Sequence, residues 1–504
     1  MTQDGMSFAG WWSGAYDSMG SDRSLELLAE TGADWVSIIV TGYQEKHTST
    51  VINRTGPATP TDQGLIRAIR KAHELGLRVM LKPHVDIEGE RETGIWRGYI
   101  GTEFSGEAEW REWFSAYTEF ILHYARIAST EGVEQFCTGT ELLGTSHREV
   151  DWRAVVTSVR AVYSGSLVYA ALHSGEDQAI EWWDAVDYIG VDAYYPLAGT
   201  DWSEEHPDPG LSELKQRWQE PIRQLAALSE REGKPILLTE IGYRSHHGCS
   251  KHPWDSWAVS SLDLKEQANA YRAALESLYY QPWLAGMFWW QWFPDPYISG
   301  HCDDSFSPQG KPAEAVLREW YGGAPVCSEG LLPDNTVVMR IYTDGLGQGW
   351  QNWSWDAELS LADSTTAVGG SASLSATLGP WGAVSLRHEP LDLRDYRWLQ
   401  FWVKVEDAAR TELQVFVQGV SGTGLVRVPI SDCRHVTTGR LTDGQWQLVR
   451  IPLGDLNPWA DHVEVISIQD ATGHGTAKFW IDDLVLIGAS VPAVRLFLPI
   501  AVGP

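Results

Sequence analysis

Between residues 6 and 322, short apolar or β-branched runs alternate with longer segments whose apolar positions recur every three or four residues. A period of two giving way to one of 3.6 is the mark of strands followed by helices, and repeated along the chain it predicts a parallel sheet. Eight strands are expected, at Ser7–Gly10, Trp35–Val40, Arg78–Pro83, Gln135–Thr140, Leu167–Leu172, Tyr188–Ala193, Ile236–Thr239 and Gly286–Trp290. Between them Thr61 and Asp62 offer a helix N-cap, Leu65, Ile69 and Ala72 mark one apolar face, and Gly76 closes the segment. Longer helices are expected at Ala108–Thr130, Asp151–Tyr163, Leu211–Arg231, Leu264–Tyr279 and Pro312–Tyr321. Eight strand–helix units predict a (β/α)8 TIM barrel over residues 1–322, and a doubly wound open sheet is the alternative.

The small, turn-prone Gly322-Gly323-Ala324-Pro325 ends this pattern and opens a linker over 323–334. From 335 to 488 the chain carries short alternating runs, including Leu399–Val405, Leu413–Gln418, Trp446–Ile451, Val463–Ile468 and Phe479–Leu486, separated by Gly, Asp and Asn. That spacing predicts an all-β sandwich of jelly-roll type. The last stretch, 489–504, is apolar but broken by Arg495 and prolines, and is expected to be an extended tail.

Charge narrows the function. The 504 residues hold 67 acidic and 38 basic side chains, a net charge of −29 with no Lys/Arg run to offset it, which excludes nucleic acid and anionic membranes as partners. No apolar run approaches the ~20 residues of a membrane-spanning helix, and the opening MTQDGMSFAGWW lacks the basic and apolar regions of a signal peptide. Five cysteines without C-x-x-C spacing carry neither a disulfide scaffold nor a zinc motif. The 27 tryptophans are the informative excess, because indole fills cores and also stacks on sugar rings.

In such a barrel the working residues stand at the C-terminal ends of the strands. Two glutamates are placed there: Glu141 after Cys137-Thr138-Gly139-Thr140, and Glu240 after Leu237-Leu238-Thr239. A carboxyl pair on facing strands can cleave a glycosidic bond, one held neutral to give a proton and the other ionised to attack or to activate water.

The runs Gly32-Ala33-Asp34-Trp35-Val36-Ser37-Ile38, Thr59-Pro60-Thr61-Asp62, Lys71 to Asp86 (KAHELGLRVMLKPHVD), Gly139-Thr140-Glu141-Leu142 and Asp187 to Pro196 (DYIGVDAYYP) resemble the bacterial β-1,4-mannanases of glycoside hydrolase family 113, retaining barrels of clan A. The resemblance implies that Glu141 is the acid/base, Glu240 the nucleophile, and that the protein is a retaining endo-β-1,4-mannanase needing no cofactor for its chemistry. Thr140 stands where many clan members carry Asn. Lys82, His84 and Asp86 after strand three, and Trp96 in the following loop, are candidate sugar-binding residues. A metal reading of His84 and Asp86 lacks partner histidines on other strands. Clan members commonly carry a Tyr after strand six that hydrogen-bonds the nucleophile, and of Tyr194 and Tyr195 the latter is preferred here. Trp289 and Trp290 after strand eight are expected to offer a stacking platform, with Trp12 after strand one a further candidate.

The second domain's first and last strands look like those of carbohydrate-binding jelly rolls, which nominates Asp344 and Asp482 or Asp483 for a structural calcium and Trp350, Trp353, Trp355, Trp381 and Trp398 for a sugar-facing or core role. The expected partner is a polysaccharide or oligosaccharide, the expected state a monomer, and the expected location secreted or cell-surface, where Cys249 and Cys302 would suit a disulfide. The other readings are a clan A hydrolase or transglycosidase on another β-linked glycan, glucan or chitosan, and a glycan-binding protein without catalysis.

Overall fold

The computed structural model describes residues 3–198, 209–295, 298–300, 303–323, 336–393, 396–419, 425–430, 435–436, 440–457 and 462–490. The chain divides into two compact units, Met1–Val326 and Cys327–Pro504. The expected linker beyond Gly323, the tail beyond Ser490 and Cys302 lie outside the described residues.

In the first unit eight strands close into a barrel in chain order: β1 (Gln3–Phe8), β2 (Trp35–Gln44), β3 (Arg78–Ile87), β4 (Gln135–Thr140), β5 (Ser166–Leu172), β6 (Tyr188–Asp192), β7 (Ile236–Ile241) and β8 (Leu284–Trp292). Every neighbouring pair is parallel, including β1 with β8. Alternation along each strand separates two layers. Trp35, Met80, Cys137, Val168, Ala170, Leu237 and Phe288 fill the barrel, while the opposite faces pack on the surrounding helices in a much larger core.

Only β4 keeps its expected limits, and the largest differences fall on β1, β2, which runs on to Gln44, and β3. β1 starts earlier, and its Gly5 is a barrel position where a Cβ would lie 2.3 Å from the Phe288 ring. β3 runs on past Pro83 to Ile87, because its ladder with β4 is confined to Met80 and Leu81 while β2 accompanies it throughout. The expected helix over 211–231 is two, Leu211–Arg217 and Gln219–Glu232, meeting at the buried Trp218.

The second unit is an antiparallel sheet around its own core. The strands follow the order Val428–Pro429, Leu413–Gly419, Val463–Asp470, Ser373–Leu391, Phe479–Ser490, Tyr396–Val405, Trp446–Pro452. The 19-residue strand Ser373–Leu391 pairs with Phe479–Ile481 through its first residues and with Val463–Gln469 through its later ones. Between the two pairings lie Gly379, Pro380 and Gly382, and Gly382 has no room for a Cβ, which would meet Asp356 O at 2.1 Å. Trp350 is buried in this core, whereas Trp353, Trp355 and Trp381 are exposed.

Asp344 and Asp482 tie the loop around residues 368–372 to the sheet. Asp344 Oδ1 accepts from the N–H of Ser371 and of Ala372 (2.8 Å), and Asp482 Oδ2 from those of Val368 (2.8 Å) and Gly369 (3.3 Å). Through these bonds one oxygen of each carboxylate anchors the loop to the sheet.

Candidate active site

β3 supplies one wall of the barrel mouth. Its inward parity runs from Met80 through Lys82, His84 and Asp86, all buried. Lys82 Nζ donates to Glu240 Oε1 at 2.5 Å and to the two oxygens of Asp192 at 3.0 and 3.2 Å. Burial pulls the Lys82 pKa down, but the charges of Asp192 and Glu240 outweigh it and leave the ammonium form favoured. Asp192, at the end of β6, is completely buried and also accepts from Thr239 Oγ1 at 2.7 Å. Burial and then the Glu240 charge push its pKa up to about 6, against the pull of Lys82 and Thr239.

Glu240 reaches this cluster because β7 departs from strict alternation. The register shifts between Val191 and Asp192 on the β6 side and between Leu238 and Ile241 on the β8 side, so that Thr239 and its neighbour both face the cluster. Its second oxygen, Oε2, accepts from Tyr194 Oη at 2.6 Å. Burial and the charge of Glu240 keep Tyr194 a neutral phenol and therefore a donor. The tyrosine on the nucleophile candidate is thus Tyr194 and not the preferred Tyr195. Period two accounts for this, since Asp192 points inward and Tyr194 follows it on the same face, while Tyr195 packs outward against Trp218 at 5.7 Å.

Glu141 stands differently. Its backbone is left-handed, with φ 51°, a conformation that costs a non-glycine residue on the order of 1–3 kcal/mol. Its carboxyl group lies 3.5 Å from Arg97, whose Nε is committed to Asp86 Oδ1 at 2.7 Å. Burial, then the charge of Asp192, hold the Glu141 pKa well above the usual carboxylate range, against the pull of Arg97. One carboxyl is held by an ammonium and a phenol, and the other has its protonated form favoured. That division of labour is what glycosidic cleavage requires.

His84 completes the floor, its Nε2 3.6 Å from Glu240 Oε1 and its ring stacked on Trp290, with centroids 6.0 Å apart and planes within 8°. Burial, Arg97 and Lys82 lower its pKa far below the usual value, so the ring is neutral. Neither ring nitrogen has a hydrogen-bond partner, which leaves both for a ligand's hydroxyl groups.

Of the expected platform, Trp290 is at the mouth, but Trp289 is core: it is fully buried, stacked on Tyr271 at 3.9 Å and bonded to Tyr321. Phe288 fills the barrel, so Trp290 shares its inward parity and Trp289 does not. Trp12 lies exposed, and Trp11 is the residue that meets Trp290, at 6.0 Å. Trp96 lines a cavity of about 650 Å³ together with Tyr99, Phe104, Trp110, Leu143 and His147, beside the segment that follows Glu141. Arg91, beyond β3, lies 5.0 Å over the Trp257 ring, beyond β7. Those strands are four apart in a ring of eight, so this contact spans the mouth.

Among the described residues one group gathers three metal-ligating side chains, His247, Asp263 and Glu266, within 4.8 Å. Glu266 is committed to the N–H groups of Gly248 and Ser250 and Asp263 caps a helix, so the group serves as a clasp for the loop after β7.

A closed parallel barrel with paired carboxyl groups at its mouth, one with its pKa raised and one clasped by donors, is the arrangement of a (β/α)8 glycosidase. The chain belongs to glycoside hydrolase family 113, whose family profile matches residues 6–311. It is a glycoside hydrolase. Among solved structures it is similar to the β-mannanase AaManA from Alicyclobacillus acidocaldarius, solved in complex with ManMIm, at 30% identity over 64% of this chain and 97% of that one, with a TM-score of 0.57. A second family member, described as a β-1,4-mannanase, is 28% identical over 64% of this chain and 100% of its own, with a TM-score of 0.56. A comparison with curated protein sequences gives no match. No helix among the described residues is long and apolar enough to cross a membrane.

Proposed function

We propose that the protein is a retaining endo-β-1,4-mannanase that acts on mannan-type polysaccharides outside the cell. The observation that carries the mechanism is the asymmetry between the two glutamates. Glu141 keeps a proton by burial beside Asp192 and delivers it to the leaving glycosidic oxygen. Glu240, aligned by Lys82 and Tyr194, attacks the anomeric carbon and forms the glycosyl-enzyme. Glu141, now ionised, then takes a proton from the incoming water. His84 and Trp290 hold the sugar at the cleavage point, and Trp96 receives the chain beyond it. For endo action an internal chain segment must pass beneath or displace the Arg91–Trp257 contact, a cation–π pair of exposed residues worth about 0.5–1 kcal/mol and therefore readily opened. The mannan assignment rests on the β-mannanase neighbours at 28–30% identity.

Reducing-sugar release from β-mannan, galactomannan, β-glucan and chitosan tests the substrate. Cleavage confined to the two mannans is expected, and preference for glucan or chitosan would overturn the assignment while leaving the barrel chemistry in place. A pH profile tests the acid. Because the protonated form of Glu141 is favoured, kcat/KM on mannan is expected to fall on the basic side with an apparent pKa well above the ordinary glutamate value of about 4.3. A basic limb at that ordinary value would remove Glu141 as the proton donor.

A further inference from the structure

Among the described residues, four other than glycine have positive φ, and Glu141 is the one in the barrel unit. The peptide groups on both sides of its Cα are anchored to β5. Its own N–H donates to Ala170 O at 2.8 Å. The next N–H, that of Leu142, donates to Tyr169 Oη at 3.2 Å. Tyr169 lies on the outward face of β5, fully buried and enclosed by Trp152 at 5.1 Å and Trp182 at 5.0 Å. Its hydroxyl donates to Glu176 Oε1 at 2.6 Å, and Glu176 Oε2 accepts from Leu172 N–H at 2.8 Å. The segment beyond is clasped by the same wall, with Trp152 donating to Thr145 O at 3.1 Å and Trp182 to Ser146 O at 3.0 Å.

We propose that Tyr169 and Glu176 are positioning residues for the proton donor, acting from outside the barrel through the Leu142 N–H to hold Glu141 in its left-handed conformation. With both flanking peptide planes fixed, neither φ nor ψ of Glu141 can relax, and the carboxyl group stays aimed into the mouth. Glu176 fixes the Tyr169 hydroxyl proton on the side away from Leu142, which leaves an oxygen lone pair to accept that N–H. Neither residue touches the bound glycan. This inference rests on Glu141 being the acid/base.

Phenylalanine at position 169 keeps the ring among its tryptophans and deletes both hydrogen bonds, so the test is Tyr169→Phe in the full chain, beside Glu141→Ala. Two substrates separate proton donation from other losses: β-mannan, whose leaving sugar must be protonated, and dinitrophenyl β-mannobioside, whose phenolate leaves without a proton. For Tyr169→Phe, kcat/KM on mannan is expected to fall about 10²-fold, within the range general acid catalysis supplies, with KM little changed. On the aryl substrate it is expected to stay within about threefold, since no general acid is needed there. Glu176→Gln, which retains the packing and an acceptor for Leu172 N–H, is expected to show the same selective loss in smaller measure, and serves if Tyr169→Phe does not fold. An equal fall on both substrates, or none on mannan, overturns the positioning role. If Glu141→Ala itself fails to discriminate between the leaving groups, the acid/base reading falls; if it discriminates and Tyr169→Phe and Glu176→Gln do not, only the positioning role falls.

Discussion

Glu240→Ala is expected to lose mannan cleavage by about 10⁴-fold or more while the chain remains folded. The fold survives because Lys82 keeps Asp192 as its partner, so no buried charge is left alone. The loss is large because no other carboxylate in contact with Lys82 can substitute: Asp192 is completely buried and spends an oxygen on Thr239. Azide should enter the space vacated by the glutamate side chain and restore turnover on an activated aryl mannobioside, giving the α-glycosyl azide by a single inversion. Glu141→Ala under the same treatment should give the β-azide, because there the nucleophile is intact and azide replaces water in the second step. A Glu240→Ala protein that keeps activity within tenfold, or that yields the β-azide, would refute the assignment of Glu240.

Lys82→Met carries the second large effect, this time on both stability and pH dependence. Lys82 is fully buried between two carboxylates, and removing one partner of a buried ion cluster typically costs about 3–5 kcal/mol. Asp192 and Glu240 would then face each other without a cation, and one would hold a proton. Lys82 pulls the Asp192 pKa down, so without it the carboxylate cluster keeps a proton to higher pH, the acidic limb of kcat/KM moves upward, and activity should be lost at low pH and partly return as pH rises. Thermal melts and a pH profile read the two effects. An unchanged acidic limb would mean that Lys82 does not govern the protonation of the carboxylate cluster.

The eight barrel strands were legible because parallel strands buried on both faces leave apolar runs that turn residues punctuate, as at Gln135–Thr140, where expected and observed limits coincide. Glu141 and Glu240 were legible for the same reason, as charges that end such runs. What the sequence concealed was parity near the mouth. Asp192 ends a run as they do, yet only its place opposite Lys82 shows its part in the cluster. Tyr194 and Tyr195, Trp289 and Trp290, and Trp11 and Trp12 are adjacent pairs whose members face opposite ways or differ in exposure, and one residue of register decides between them. Tyr169 and Glu176 were hidden more deeply, since an outward tyrosine reads as core filler until its hydroxyl is seen to meet Leu142. In the second unit, the part that Asp344 and Asp482 play in anchoring the loop around residues 368–372 was likewise hidden, since its backbone N–H donors are far from both in sequence.

The most direct test of the central claim is the stereochemistry of the first product, followed by proton magnetic resonance during hydrolysis of a β-1,4-mannooligosaccharide. Attack by Glu240 followed by water on the opposite face predicts that the β-anomer of the new reducing end appears first and the α-anomer only later, by mutarotation. Initial release of the α-anomer would mean that water attacks directly, and would contradict a glycosyl-enzyme on Glu240.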